Sequence, residues 1–158
     1  MARDAAAQRS PLPGVWRAVN TVRFPRPIVN QLLHLAQKSP EEEICGLISR
    51  DGTGLKECYP VANAAGDRKH LFAIDPRGQI AAMRAMRERG EELAAIYHSH
   101  PDAAPLPSAA DVEQHEYPDV LYLIVSLGTK GLLEMRGFHI RNRVIEEVPI
   151  GLEEEPAG

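Results

Sequence analysis

The spacing of apolar residues divides the chain into helical and extended stretches. Residues 25–39 place apolar side chains three and four positions apart, with a proline where a first helical turn tolerates one, which predicts a helix. Residues 75–90 show the same period in the stripe of Ile80, Met83 and Met86. This second stretch begins after an aspartate suited to cap a helix and ends at a glycine suited to terminate one.

Other stretches are continuously apolar or alternate with period two, which predicts strands. Residues 120–127 are apolar at nearly every position, so both faces must be covered, as in a central strand. Two runs, 44–49 and 54–64, flank a glycine-containing turn and predict a hairpin. Further strands are predicted at 16–24, 93–100, 132–140 and 143–148, and a short helix at 108–117. The alternation of predicted strands and helices along the chain predicts the α/β class, with a mixed central β-sheet flanked by helices. The order of the strands in the sheet stays open.

The length of 158 residues suits one domain with one hydrophobic core. We predict a flexible leader over residues 1–14, one folded domain over 15–150 and an acidic tail over 151–158. The first residues lack the apolar segment of a signal peptide, and no run reaches the length that spans a membrane.

Charge and cysteine content narrow the classes of function. The net charge is −4 and most basic residues are scattered, which argues against a nucleic-acid or membrane-surface partner. Cys45 and Cys58 are too few for a disulfide scaffold or a thiolate zinc site. These features predict a cytoplasmic protein with reduced cysteines, and no exposed apolar stripe indicates a particular oligomeric state.

The predicted strand 93–100 ends in two histidines, His98 and His100. Side chains alternate between the faces of a strand, so both imidazoles project to the same side. Zinc binds imidazole nitrogen and carboxylate oxygen, and a catalytic zinc keeps three protein ligands and one open position. Asp111 is the candidate third ligand, because a loop with three prolines restricts how the chain returns. A histidine pair of this spacing often binds nothing, so the pair needs support from elsewhere in the chain.

Ser108 precedes the predicted short helix and admits two interpretations. Ser-Ala-Ala-Asp resembles a capping box, in which Ser108 is the N-cap of the helix. In the other interpretation its hydroxyl faces the metal and donates a hydrogen bond to a developing oxyanion. The two functions compete for the same hydroxyl, and the sequence leaves both open.

A hydrolytic metal site also needs a base that takes a proton from the attacking water. Three consecutive glutamates, Glu41, Glu42 and Glu43, precede the predicted strand 44–49. Such a run is usually a solvated connection between a helix and a strand. Only one of the three can point along the strand toward the reactive edge of the sheet.

The combined pattern resembles the JAMM (MPN-plus) metalloprotease family. Glu-x-Cys-Gly-Leu stands before a strand, His-Ser-His-Pro follows, and seven residues separate the second histidine from Ser-x-x-Asp. The resemblance covers about residues 20–148 and implies a cytidine-deaminase-like architecture. It implies that one zinc per chain is bound by His98, His100 and Asp111. It further implies that Glu43 is the general acid and base and that Ser108 assists the tetrahedral intermediate.

The same resemblance indicates a substrate class. Proteins of this family cleave peptide or isopeptide bonds, often just after the C-terminal glycine pair of a ubiquitin-like domain. About ten residues separate His100 from Asp111 and the other loops are short, so the long insertions of the larger eukaryotic members are absent. The chain therefore resembles the small, single-domain bacterial members, which act on ubiquitin-fold sulfur carriers. The expected partner is a ubiquitin-like or sulfur-carrier protein.

Two rival functions come from other classes. A zinc-stabilised module could bind ubiquitin-like partners without cutting them, but a structural zinc has no need of a base such as Glu43. A hydrolase of the wider deaminase-like architecture could act on a nucleobase, but the H-x-E and P-C-x-x-C patterns of that class are missing.

Overall fold

The computed structural model describes residues 21–114, 117–129 and 132–153. The predicted leader, most of the first predicted strand and residues 154–158 of the predicted tail lie outside these ranges. The helices are α1 (Arg26–Lys38), α2 (Pro76–Glu88) and α3 (Ala109–Gln114). The strands are β1 (Val22–Phe24), β2 (Cys45–Asp51), β3 (Gly54–Val61), β4 (Glu92–His100), β5 (Leu121–Thr129), β6 (Leu132–Arg141), β7 (Val144–Val148) and β8 (Ile150–Leu152).

Six of the strands form one mixed sheet in the order β3-β2-β4-β5-β6-β7. The central pair, β4 and β5, is parallel, and every other neighbouring pair in this sheet is antiparallel. Strand β5 is buried from Leu121 to Ser126, as its continuous apolar run predicted. The predicted fold class, a mixed sheet flanked by helices, is confirmed.

The two long helices cover opposite faces of this sheet. On one face α1 packs its buried residues Ile28 and Leu32 against a cluster that includes Tyr97 of β4. On the other face α2 packs Met86 against a cluster that includes Ile96 of the same strand. Because successive strand residues point to opposite faces, the even-numbered residues at the end of β4 lie on the α2 side.

Helix α2 begins and ends as predicted. Asp75 caps its start by accepting a hydrogen bond from the Gly78 backbone N–H at 2.9 Å, and Gly90 follows its end with a φ of +74°. The predicted apolar stripe is wrong at Ile80, which is 61% exposed. At about 100° per residue Ile80 lies about 120° around the helix from Met86, so it falls at the edge of the buried face.

A short strand near the C-terminal end was not predicted. Strand β8 pairs in parallel with β1, with Val22 opposite Ile150, and forms a separate two-stranded sheet. The backbone N–H of Glu153 continues this pairing by donating to the carbonyl of Phe24. Within the described ranges, none of the helices is long and apolar enough to cross a membrane.

Candidate active site

The last residues of β4 place both histidines on the α2 side of the sheet. His98 and His100 are buried, and their Nε2 atoms lie 3.2 Å apart. The Nδ1 atom of His100 lies 2.8 Å from the carbonyl oxygen of Ala104. When Nδ1 donates its proton to this carbonyl, Nε2 carries a lone pair that points toward His98.

The loop after β4 returns the chain so that α3 brings Asp111 to the histidines. Oδ2 of Asp111 lies 3.1 Å from Nε2 of His98 and 3.4 Å from Nε2 of His100. The loop is fixed to the end of β5, where the Ser126 hydroxyl donates to the Ala103 carbonyl at 2.5 Å. The three predicted ligands therefore meet at one point, although thirteen positions separate His98 from Asp111.

Ser108 forms a reciprocal capping box with Asp111. Its Oγ accepts a hydrogen bond from the Asp111 backbone N–H at 3.0 Å, and its own N–H donates to Oδ2 of Asp111 at 2.8 Å. The first interpretation of Ser108, as an N-cap, is thus what the structure shows. Capping uses a lone pair of the Ser108 oxygen and leaves its O–H hydrogen as a donor, so the cap is compatible with the second interpretation, which stays a prediction.

Glu43 reaches the same point from the neighbouring strand. Antiparallel pairing of β2 with β4 sets Cys45 opposite His98, so the residues just before β2 lie beside the end of β4. The Glu43 side chain is 5% exposed, and its ligand atom and those of His98 and His100 lie within 4.8 Å of one another. Among the described residues, its Oε1 atom is buried without a hydrogen-bond partner.

The other two glutamates of the run do not enter the site. Glu41 and Glu42 are exposed, and a carboxylate oxygen of Glu42 pairs with Nε of Arg68 at 3.2 Å. Burial therefore distinguishes Glu43 from Glu41 and Glu42.

The titration of these groups reflects burial in competition with their mutual contacts. Burial raises the pKa of Glu43 to about 8, while the charge of His100 opposes this rise. Burial lowers the pKa of His98. Burial also disfavours the charged forms of His100 and Asp111, but hydrogen bonds have the larger effect on both pKa values. The two side chains interact with each other, His100 also bonds to Ala104, and Asp111 also bonds to His98 and Ser108. The pKa of His100 is therefore raised and that of Asp111 is held well below its ordinary value.

The donor atoms fit a metal cation. When His100 is neutral, with its proton on Nδ1 donated to Ala104, Nε2 of His100 and Oδ2 of Asp111 both present lone pairs to the same point, and a metal cation can replace the proton that they otherwise share. The buried Glu43 Oε1 atom, which has no hydrogen-bond partner among the described residues, lies nearby and can accept once Glu43 loses its proton. A group of lone pairs this close together is stable when a cation lies among them.

Two residues that support the site were not found from the sequence. The ring of Phe72 stacks on His98, with centroids 4.2 Å apart and planes at 17°. The side chain of Asn63 donates to the backbone carbonyl of Glu43. Both residues belong to irregular chain between β3 and α2, where no periodic pattern marks a contact. A cleft of about 440 Å³ adjoins the site, and Phe72 and Tyr122 line both this cleft and the space beside His98.

Comparison with models of known protein families shows the family to which this chain belongs. A family model described as prokaryotic homologs of the JAB domain matches residues 25–138. The matched range holds the strands and loops that carry all five predicted site residues: Glu43, His98, His100, Ser108 and Asp111. The chain therefore belongs to the prokaryotic JAB family, as the resemblance to JAMM (MPN-plus) proteins predicted.

Three curated proteins are similar in sequence to more than half of this chain. The CysO-cysteine peptidase of Mycobacterium tuberculosis is 30% identical over 131 residues, which are 81% of this chain and 88% of that protein. The desampylase of Haloferax volcanii is 32% identical over 93 residues, 58% of this chain and 67% of that protein. The probable TtuB-protein conjugate cleaving protease of Thermus thermophilus is 28% identical over 128 residues, 80% of this chain and 82% of that protein.

Solved structures agree on the fold. The solution structure of a Desulfitobacterium hafniense protein superposes with a TM-score of 0.70 at 33% identity and covers 85% of this chain and 93% of that one. The crystal structure of a JAB1/MPN domain protein from Archaeoglobus fulgidus has a TM-score of 0.55 at 16% identity and covers 84% of this chain and 98% of that one. The second likeness concerns the fold alone.

Proposed function

We propose that this chain is a zinc-dependent peptidase that hydrolyses the amide bond after the C-terminal Gly-Gly of a ubiquitin-like or sulfur-carrier protein. The main support for this proposal is the position of Glu43. Its buried carboxylate has no hydrogen-bond partner at Oε1 among the described residues and lies beside His98 and His100. A hydrolytic centre requires a base in such a place, whereas a binding module does not.

The metal is proposed from the chemistry of the donors. His98 and His100 offer imidazole nitrogen and Asp111 offers a carboxylate oxygen, and three ligands of these types are typical of a catalytic zinc with one open position. Bound there, zinc would supply a Lewis acid that lowers the pKa of a coordinated water toward neutrality. The carbonyl of Ala104 orients His100 through Nδ1, and the backbone N–H of Ser108 orients the Asp111 carboxylate.

The chain's own residues then move the proton and stabilise charge. Glu43 takes a proton from the attacking water and holds it on its carboxylate while the carbon of the amide becomes tetrahedral. The free O–H of Ser108 donates a hydrogen bond to the oxygen that becomes negatively charged. Glu43 then passes the proton to the nitrogen of the leaving amine as the C–N bond breaks. The products are a carboxylate on the carrier protein and a free amine.

The substrate class follows from the names of the relatives and from the family motif. One relative is named a CysO-cysteine peptidase and another a probable TtuB-protein conjugate cleaving protease, so both names describe cleavage. The cleft beside His98, lined by Phe72, Tyr117 and Tyr122, gives the chain on one side of the scissile bond a place to lie. We further infer a cytoplasmic location, in keeping with two buried cysteines that are both free.

The test is incubation of the zinc-loaded protein with sulfur-carrier proteins extended by one cysteine or a short peptide after Gly-Gly. We expect mass spectrometry to show a product that ends at the second glycine, and a chelator to abolish its formation. Glu43→Gln should keep zinc and lose hydrolysis by about 10²- to 10⁴-fold, the usual contribution of a general base. Unchanged turnover in Glu43→Gln would refute this base, and intact carriers with the zinc-loaded wild type would refute the substrate class.

A further inference from the structure

The side-chain amide of Asn63 uses every hydrogen-bonding position it has. Its Nδ2 donates to the backbone carbonyls of Glu43 at 2.9 Å and Leu71 at 3.0 Å. Its Oδ1 accepts from the backbone N–H groups of Ala65 and Ala73, both at 3.0 Å. A primary amide has two N–H donors and two acceptor lone pairs, so this side chain is saturated. Such a complete set of bonds fixes three stretches of main chain to one another.

The main chain of Glu43 is held mainly by hydrogen bonds outside the regular ladder of the sheet. Strand β2 begins at Cys45, so the main chain of Glu43 lies outside the regular ladder of the sheet. Its N–H donates to the carbonyl of Arg68 at 2.6 Å and its carbonyl accepts from Asn63. Both partners belong to the segment between β3 and α2. The other half of the peptide group that contains the Glu43 carbonyl, the Ile44 N–H, donates to the Ser99 hydroxyl of β4 at 2.9 Å.

The same segment also covers the first histidine. Phe72, whose ring stacks on His98, lies between Leu71 and Ala73, and Asn63 bonds to the main chain of both. One side chain thus joins the main chain of Glu43 to the segment that carries the ring stacked on His98. A displacement of either part would move the carboxylate relative to the imidazoles.

We propose that Asn63 is a positioning residue that holds the main chain of Glu43 so that its carboxylate stays beside His98 and His100. The inference rests on the proposed role of Glu43 as the base. None of the four hydrogen bonds of Asn63 goes to His98, His100 or Asp111, so metal binding does not require it. The loss of Asn63 therefore slows the chemical step and leaves the zinc content unchanged.

The test compares Asn63→Ala and Asn63→Asp with the wild type in the zinc-loaded form. Displacement of a reacting group by about 1 Å costs up to about 100-fold in rate, so we expect kcat to fall by about 10- to 100-fold with KM nearly unchanged. Asn63→Asp keeps the acceptor oxygen for Ala65 and Ala73 but loses both donors, so it should be as slow as Asn63→Ala. Zinc content should equal that of the wild type in both variants.

Ser49→Ala is the matched control for a loss of stability alone. The Ser49 hydroxyl is fully buried and donates to Glu91 at 2.8 Å, near the end of β2 that lies away from Glu43. This variant should lower the thermal unfolding temperature and leave kcat unchanged. The proposal is overturned if Asn63→Ala keeps the kcat of the wild type, or if Ser49→Ala loses as much kcat at a similar loss of stability.

Hydrogen exchange followed by NMR separates this inference from the proposed activity. In Asn63→Ala the backbone amides of Glu43 and Ala73 should exchange faster than in the wild type. The Ala73 N–H loses its acceptor, and the Glu43 N–H, which donates to Arg68, lies in a segment that loses the hydrogen bond to its carbonyl. Amides in the middle of β4 should be unaffected. If no carrier is cleaved by the wild type, the proposed function fails while the exchange result still tests Asn63. Unchanged exchange at Glu43 and Ala73 would overturn its positioning role.

Discussion

Ser108 uses its oxygen in a structural hydrogen bond, and we propose that its hydrogen serves catalysis. Its oxygen accepts from the Asp111 N–H, and its hydrogen remains available to a substrate oxygen. Glycine at an N-cap costs only a few tenths of a kcal/mol relative to serine, whereas alanine costs about 1 kcal/mol. The two substitutions therefore separate the cap from the hydroxyl.

We expect Ser108→Gly to unfold at nearly the wild-type temperature and to lose about 10²- to 10³-fold in kcat, the usual effect of removing one oxyanion donor. Ser108→Ala should lose a similar factor in kcat and also be less stable. Thermal unfolding and steady-state kinetics measure both effects. A Ser108→Gly variant with the kcat of the wild type would show that the hydroxyl only caps the helix.

The burial of Glu43 makes the stability of the metal-free protein depend on pH. The folded protein keeps a proton on Glu43 up to about pH 8, whereas the unfolded chain releases it near its ordinary pKa of 4.5. Between these values the folded state binds more protons, so its stability falls as the pH rises. The raised pKa of His100 acts in the same direction above 6.5.

We therefore expect the urea midpoint of the chelated protein to fall between pH 7 and pH 9 and the fall to be smaller in Glu43→Gln. In this range the histidines of the unfolded chain are already mostly neutral, so His98 contributes little. Equal slopes for the wild type and Glu43→Gln would contradict the raised pKa of this carboxyl.

At the scale of elements, the proline-rich loop sets the distance between β4 and α3. The loop lies against the end of β5, where a Cβ atom on Gly128 would come within 2.7 Å of the Asp102 carbonyl carbon and 2.8 Å of the Ala103 nitrogen. Both contacts are with backbone, which cannot rotate aside. Ala104, the next residue of the loop, holds His100 through its carbonyl.

Gly128→Ala should displace this loop and weaken metal binding. Changes to groups that orient a metal-binding histidine commonly cost about 10- to 100-fold in affinity, and overpacking costs about 1–3 kcal/mol in stability. Zinc affinity measured by competition with a chelating dye should show this loss. Gly66→Ala is the control, because nothing lies within 4 Å of its added Cβ atom. A Gly128→Ala variant with wild-type affinity would contradict the proposed role of the loop.

The elements that the sequence predicted are those with a strong local signal. Helices α1 and α2 and the run of β5 followed from periodicity and from capping residues, and the hairpin of β2 and β3 followed from its turn. Strand β8 was missed because three residues carry too little pattern, and its partner β1 lies at the other end of the chain. Ile80 was assigned to the buried face because residue type alone does not show how far a buried helical face extends.

At the scale of the whole molecule, the site depends on pairing between distant parts of the chain. His98, His100 and Asp111 lie close together in the sequence, so their spacing alone indicated a common site. Glu43 lies fifty-five positions before His98 and approaches it through the antiparallel pairing of β2 with β4. The sequence indicated Glu43 through the family motif and not through geometry. Asn63 and Phe72 could not be predicted, because their contacts follow from the path of an irregular segment between β3 and α2.

The most direct test of the account is a titration of the metal-free protein with zinc while cleavage of a Gly-Gly-extended carrier is followed. We predict that the rate rises in proportion to added zinc and stops rising at about one zinc per chain, as expected for one site with three protein ligands. His98→Ala should show no such break at the same protein concentration. A cleavage rate that is independent of zinc, or no cleavage at saturating zinc, would contradict the assignment of this site as a hydrolytic zinc centre.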